Sequence, residues 1–229
     1  MKKSEIIVML TYNDYTVTNA KQVFDTCVDL PVKYWGFKDN VLSDKDAQDL
    51  GRHIGESGKL PVLELVNFTE EAYTRAAKVA VEGKFHLVSG GLYNKTLWNH
   101  LREHGIQYLP FCGELSRDES GLLWMYETRE EMLNNAHHAL DAGVMGIELC
   151  FYRHANEDGD ELIKWFKHLL PDIPISVAGS VSSFERIKFV CENDVDFFTT
   201  GSALFSQTYI KNGSFYNNLK TVYDYIQSL

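Results

Sequence analysis

The 229-residue sequence has no long hydrophobic run, few cysteines and a shortage of positive charge, and each of these excludes something. No apolar stretch approaches the roughly 20 residues that a membrane-spanning helix needs, so no membrane partner is expected. Met1-Lys2-Lys3 leads into an apolar run at 6–10 that is too short for the core of a secretory leader, and the expected compartment is the cytoplasm. Cys27, Cys112, Cys150 and Cys191 show no paired spacing and read as reduced core or strand residues rather than a disulfide framework. Lys and Arg number 22 against 32 Asp and Glu, a formal charge of −10 that argues against nucleic acid held on a broad basic surface. A small anion stays admissible, because loop amides and one or two local cations outweigh a distant negative surface. No linker or low-complexity tract divides the chain, so one domain over 1–229 is expected.

What the chain does have is alternation. Short apolar runs at 6–10, 32–36, 61–66, 85–89, 106–112, 144–149, 173–178 and 195–200 have lengths that suit buried parallel strands. Between and after them, helical periodicity covers 17–28, 43–57, 69–83, 93–104, 128–142, 158–169, 182–193 and 213–228. Thr128 with Glu131 and Ser182 with Glu185 fit the capping box, and Ser43 and Thr69 stand where N-caps belong. Gly58, Gly83, Gly105 and Gly143 mark helix stops. Strand then helix, eight times, predicts either an open doubly wound sheet or a closed barrel. An open sheet usually carries its phosphate loop after the first strand, but Leu10-Thr11-Tyr12-Asn13-Asp14-Tyr15 contains no glycine. A closed barrel of about 250 residues places that loop after strands seven and eight, where this chain has its glycines. The expected fold is a single α/β domain, a (β/α)8 TIM barrel.

Strand seven runs out into Ala178-Gly179-Ser180 and strand eight into Thr200-Gly201-Ser202-Ala203. Two glycines at adjacent strand ends let backbone amides come close to a phosphate, a short helix can turn its positive end toward it, and Ser180 and Ser202 can add hydroxyl donors. Gly179, Ser180, Gly201 and Ser202 are therefore the candidate phosphate-binding residues. These paired turns resemble the phosphate loops of the ribulose-phosphate-binding barrel superfamily, which includes indole-glycerol-phosphate synthases, phosphosugar epimerases, orotidine-phosphate decarboxylases and thiamin-phosphate synthases. The specific likeness covers about the last 60 residues; earlier parts agree only in the rhythm of their elements. The resemblance implies a phosphorylated small-molecule ligand and leaves the reaction open.

In such a barrel the reactive groups stand at the carboxyl ends of strands, on the face that points inward, and alternation selects that face. Trp35 and Phe37 belong against the outer helices, which turns Lys38 inward. Leu63 and Leu65 face out and Glu64 in; Ile147 and Leu149 face out and Glu148 in. A lysine and two glutamates inside an apolar barrel need a reason, since buried charge is costly unless paired. One reading is a structural ion pair between Lys38 and Glu64; the preferred one makes Lys38, Glu64 and Glu148 catalytic. A carboxylate about 5 Å from Lys38, at an effective dielectric near 20, favours the ammonium by roughly 3 kcal/mol, so an electrostatic role ranks above a Schiff base. Glu64 or Glu148 then serves as general base. Asn13, Asp14, Ser89 and Arg153 are candidate substrate-binding residues at the rim, and the loop 113–126, with Glu114 and Arg117, is a candidate lid.

The expected activity is that of a lyase or isomerase acting on a small phosphosugar-like metabolite through an enolate or enediolate. Alternatives are a flavin mononucleotide-dependent oxidoreductase, a protein like the 4-hydroxythreonine-4-phosphate dehydrogenases, to which the chain has a general similarity, and a non-catalytic phosphometabolite-binding protein. No cofactor is required; magnesium on Asp14, Glu64, Glu114 and Glu148 is left open, as is a homodimer. A histidine-based metal site is not expected, because seven of the eight histidines fall away from the mouth and only His154 lies near it.

Overall fold

Each strand of this protein has one face that must pack against helices and one that must pack against its own kind, a demand met by closing the sheet. The computed structural model describes residues 3–229. Its principal strands are β1 (Glu5–Met9), β2 (Tyr34–Lys38), β3 (Leu60–Leu65), β4 (Leu87–Leu92), β5 (Gln107–Phe111), β6 (Ile147–Leu149), β7 (Ile175–Val177) and β8 (Phe197–Thr200). They pair in parallel and in sequence order, and β1 closes the circle by pairing both β2 and β8. The helices are α1 (Ala20–Asp25), α2 (Asp44–Glu56), α3 (Glu70–Glu82), α4 (Lys95–Glu103), α5 (Arg129–Asp141), α6 (Gly159–Leu169), α7 (Phe184–Glu192), α8 (Ser202–Phe205) and α9 (Phe215–Ser228). The fold is a (β/α)8 barrel. Among the described residues, no helix is long and apolar enough to cross a membrane.

Alternation along the strands divides the core in two. Ile7, Met9, Val62, Leu87 and Leu109 fill the barrel interior, with Tyr34, Met145 and Phe197 packed against them. The opposite faces, including Val8, Trp35, Phe37, Leu63, Val88, Tyr108, Ile147, Val177 and Phe198, join the helices in one continuous outer cluster. Trp35 meets Phe24 of α1 edge to face, with ring centroids 5.0 Å apart. Truncating one such residue to alanine costs about 2–5 kcal/mol, because the surrounding shell cannot collapse into the void.

The helix starts follow local chemistry. Ser43 and Thr69 accept from the backbone N–H of Asp46 and Ala72, and Thr128 forms the complete capping box with Glu131. At α7 the cap is Ser183, accepting from Arg186 N, and not Ser182, whose hydroxyl turns back to the Ser180 carbonyl. Several strands begin later than the apolar runs suggest. Val32, Phe85 and Val144 are buried before their strands start, since they close the amino-terminal end of the barrel; Phe85 N still bonds back to Ala80 O.

Two hairpins at the carboxyl-terminal mouth were not anticipated. The first pairs Thr11–Tyr12 with Tyr15–Thr16, and the second pairs Leu115–Arg117 with Leu123–Met125. Each arm is only two or three residues long, too short for alternation to register in a sequence.

Candidate active site

Pairing places the polar interior residues at one level. Lys38 of β2 is in register with Glu64 of β3, and Glu64 with Ser89 of β4. On the other side of the interior, Glu148 of β6 is in register with Ser176 of β7. All five are buried. The Lys38 ammonium lies 3.4 Å from Glu64 Oε1 but only 2.7 Å from Asp14 Oδ1, so its nearest partner is a residue of the rim.

Asp14 reaches Lys38 because of the first hairpin. Its turn is Asn13-Asp14, both left-handed (φ +48° and +65°), the conformation a two-residue hairpin requires and one that Asn and Asp tolerate best among residues with a Cβ. The hairpin is stitched to the end of β2: Thr16 Oγ1 accepts from Lys38 N and donates to Lys38 O, and Asn40 donates to Asp14 O while accepting from Thr16 N. The result hangs the Asp14 carboxylate over the barrel mouth. Its Oδ2 accepts from Arg153 at 2.5 Å and from Leu123 N, in the second hairpin, at 3.1 Å.

Arg153 follows β6 on a single 3-10 turn (Phe151–Arg153) and is no solvated surface residue: its side chain is 11% exposed. Its Nε donates to Ser180 Oγ at 2.9 Å. Gly179 and Ser180 form a left-handed pair (φ +73° and +54°), and a Cβ on Gly179 would sit 3.2 Å from Arg153 Cδ, so the glycine lets the arginine lie across the turn. Gly201 packs against β1 so closely that a Cβ would meet Thr11 Oγ1 at 2.8 Å and Met9 O at 2.9 Å. Arg186 of α7 holds the first of these turns by donating to Ser180 O at 2.6 Å.

These groups meet in a cavity of about 240 Å³. It is lined by Asp14, Lys38, Glu64 and Arg153, by both Gly-Ser turns (Gly179, Ser180, Gly201, Ser202), and by hydroxyls including Thr11, Thr199 and Thr208; no aromatic side chain among the described residues lines it. Three of the candidate catalytic and substrate-binding residues are not in the lining. Asn13 touches the site through its backbone, donating to Ser202 Oγ at 2.9 Å while its side chain is exposed. Ser89 and Glu148 are buried out of the lining. Glu148 Oε1 accepts from Ser176 at 2.8 Å, and Oε2 has no hydrogen-bond partner.

The second hairpin covers the mouth, with Leu115 and Leu123 in the cavity lining. At its base the Glu127 carboxylate accepts from Glu114 N and Tyr126 N, and the His154 ring pairs with Glu127 O at 2.7 Å. His154 therefore clamps this loop. At the far end the Arg117 guanidinium lies 4.7 Å from the centre of the Tyr15 ring, joining the two hairpins. Glu114 lies outside the lining, and among the described residues no three His, Cys, Asp or Glu side chains converge as a metal site.

The ionisation pattern follows from burial and pairing. Burial opposes the ammonium of Lys38, but Glu64 and Asp14 overcome it and raise the pKa. Burial also opposes ionisation of Asp14, yet the charges of Lys38 and then Arg153 hold the carboxyl down to about 2. Glu64 shifts upward through burial, with Lys38 resisting. Glu148 has no cation in contact; burial first, then the charge of Glu64, pushes it up to about 8, with the hydrogen bond from Ser176 opposing. At neutral pH these shifts favour the ammonium of Lys38 and the carboxylate of Asp14, and disfavour the charged form of Glu148.

No protein-family model matches the sequence, and no curated protein resembles it beyond chance. Solved structures do match the fold. One of native KDPGal has TM-score 0.68 at 16% identity, covering 100% of this chain and 98% of the other. Orotidine 5'-phosphate decarboxylase from Pyrococcus horikoshii gives 0.70 at 15%, over 98% and 100%. N-acetylmannosamine-6-phosphate 2-epimerase from Clostridium perfringens gives 0.62 at 11%, over 88% and 87%. The same architecture also serves a protein that is not named as an enzyme, the glycerol uptake operon antiterminator regulatory protein from Listeria monocytogenes (0.59 at 12%, over 86% and 91%). At these identities the likeness establishes architecture alone, that of a (β/α)8 barrel.

Proposed function

We propose that this protein is a lyase or isomerase of a small phosphorylated metabolite, acting through an enolate or enediolate. The observation that carries the reading is the convergence, in one cavity, of the two Gly-Ser turns with the Lys38–Asp14–Glu64 cluster. Amides and hydroxyls at Gly179, Ser180, Gly201 and Ser202, with the Arg153 guanidinium beside them, suit a phosphate. Lys38, kept protonated by two carboxylates, suits stabilisation of an oxyanion as it develops on a carbonyl oxygen. Glu64 is the carboxylate in the lining whose pKa burial raises, which suits a general base. Glu148 takes a supporting role, because a buried acid that is largely protonated at pH 7 is a poor base and a good neighbour for Glu64. The cavity is smaller than the roughly 300–1,000 Å³ common for ligand sites, and it lacks aromatic walls, which favours a short sugar-phosphate-sized molecule over flavin mononucleotide.

A panel of aldose and ketose phosphates, screened by thermal shift and then for deuterium uptake from D2O, tests this. Bound members are expected to exchange a proton next to the carbonyl. Lys38→Ala and Glu64→Ala are expected to abolish exchange; folded variants that retain full exchange would refute the assignment. The second reading keeps the pocket and drops the chemistry. It is favoured by the fact that the four charged groups of the lining already satisfy one another. Tight binding with no exchange or turnover across the panel would select it.

A further inference from the structure

Arg153 stands between two claimants. One side of its guanidinium is held by Asp14 Oδ2 (NH1, 2.5 Å), and the other by Ser180 Oγ in the first Gly-Ser turn (Nε, 2.9 Å). Its stem lies across Gly179, where a side chain would crowd it. Asp14, in turn, is shared by Lys38, Arg153 and Leu123 N. The pair is well buried, at 11% and 7% side-chain exposure, so water screens it weakly.

We propose that Arg153 is a switched positioning residue: Asp14 holds it in the free protein, and the ligand's phosphate takes it over, which frees Asp14 Oδ2 to accept a hydrogen bond from a substrate hydroxyl. This rests on the reading of the cavity as a phosphate site. The geometry gives the exchange a physical basis. A phosphate at the Gly-Ser turns offers a planar guanidinium more acceptor oxygens and more charge than the single oxygen of Asp14 does. Asp14 can release Arg153 without becoming an unpaired buried charge, because Lys38 and Leu123 N stay with it. Asp14 lines the same cavity as the hydroxyl and glycine residues of the two turns, where the polar body of a ligand would lie. Phosphate occupancy and exposure of Asp14 are therefore one event. A phosphorylated ligand would ready its own hydroxyl acceptor, and an unphosphorylated analogue would find Asp14 occupied.

Binding of inorganic phosphate to the whole protein, by calorimetry, tests this. The wild type is expected to bind saturably. Asp14→Asn removes the competitor and is expected to tighten binding, by about tenfold if the lost pair is worth one logarithm of affinity. Asparagine also suits the left-handed turn at φ +65°, so the hairpin should persist. Arg153→Lys keeps the charge but loses the planar bidentate fork, and is expected to weaken binding about tenfold. A second measurement needs no variant: the Nε–H resonance of Arg153 in 15N-labelled wild type should shift with phosphate occupancy. If the wild type binds phosphate while folded Asp14→Asn binds no tighter, or the Arg153 resonance stays put at saturation, the switch is wrong and the phosphate site survives. If the wild type binds no phosphate, both fall.

Discussion

Replacing Glu148 by glutamine should make the protein more stable, increasingly so as the pH rises. The carboxyl is fully buried, one oxygen bonded to Ser176 and the other unpartnered. Burial and the Glu64 charge raise it from an ordinary 4.5 to about 8. A raised carboxyl pKa means that the folded chain holds its proton where the unfolded chain has lost it. Between pH 4.5 and 8 folding therefore takes up a proton, and stability falls as pH rises through that window. At pH 7 the cost is 1.36 × (7 − 4.5), about 3 kcal/mol, and it levels off near 5 kcal/mol above pH 8. Glutamine has nearly the same shape and no proton to lose. Its amide must still find an acceptor beside Ser176 and Glu64, an imperfect fit that takes back about 1 kcal/mol. The net gain expected at pH 7 is about 2 kcal/mol, or roughly 4–8 °C in Tm for a chain of this size. Urea unfolding of both proteins at pH 4.5, 6, 7 and 8 measures it. The two curves should cross near pH 5 and diverge steadily from there to about pH 8; parallel curves across the window would refute the reasoning.

Three other perturbations read the same network. Asp14 is the opposite case: its lowered pKa lends stability that is complete above about pH 4 and lost as the pH falls toward 2, so Asp14→Asn should flatten the acid limb of the unfolding profile by about 2 kcal/mol. Lys38→Met leaves two buried carboxylates without their ammonium and should destabilise by about 3–5 kcal/mol in urea at pH 7, with the deficit shrinking as the pH falls and Glu64, whose pKa is already raised, takes up a proton. Arg117→Ala removes the cation–π contact that joins the hairpins, and hydrogen exchange should quicken at Leu123 and Met125 while the barrel amides are unchanged.

The barrel was legible because its strands obey a period of two along almost their whole length. Trp35 and Phe37 declared the outer face of β2 and so turned Lys38 inward; Leu63 and Leu65 did the same for Glu64. The Gly-Ser turns were legible because each directly follows a strand. What could not be read was anything set by turn geometry across the mouth. Nothing in Thr11-Tyr12-Asn13-Asp14-Tyr15-Thr16 announces a hairpin except Asn-Asp at its centre, a weaker signal than Asn-Gly. The contribution of Asn40, which ties that turn to β2, was equally hidden, since its partners lie 24 and 26 residues away. Burial depth was hidden too: alternation correctly turned Glu148 inward but could not say that it lies outside the cavity lining.

That limit has a chemical consequence. Strands alone would leave Lys38 with Glu64 on a neighbouring strand, a pair whose geometry the sheet fixes and no ligand could easily alter. The hairpin adds Asp14, a carboxylate on a short turn that bonds at once to the barrel strands through Lys38, to the first Gly-Ser turn through Arg153 and to the covering hairpin through Leu123 N. A group fixed at three sides by three separate elements senses displacement of any one of them. Under the proposed reading, chemistry belongs to the rigid strands and ligand sensing to the turn.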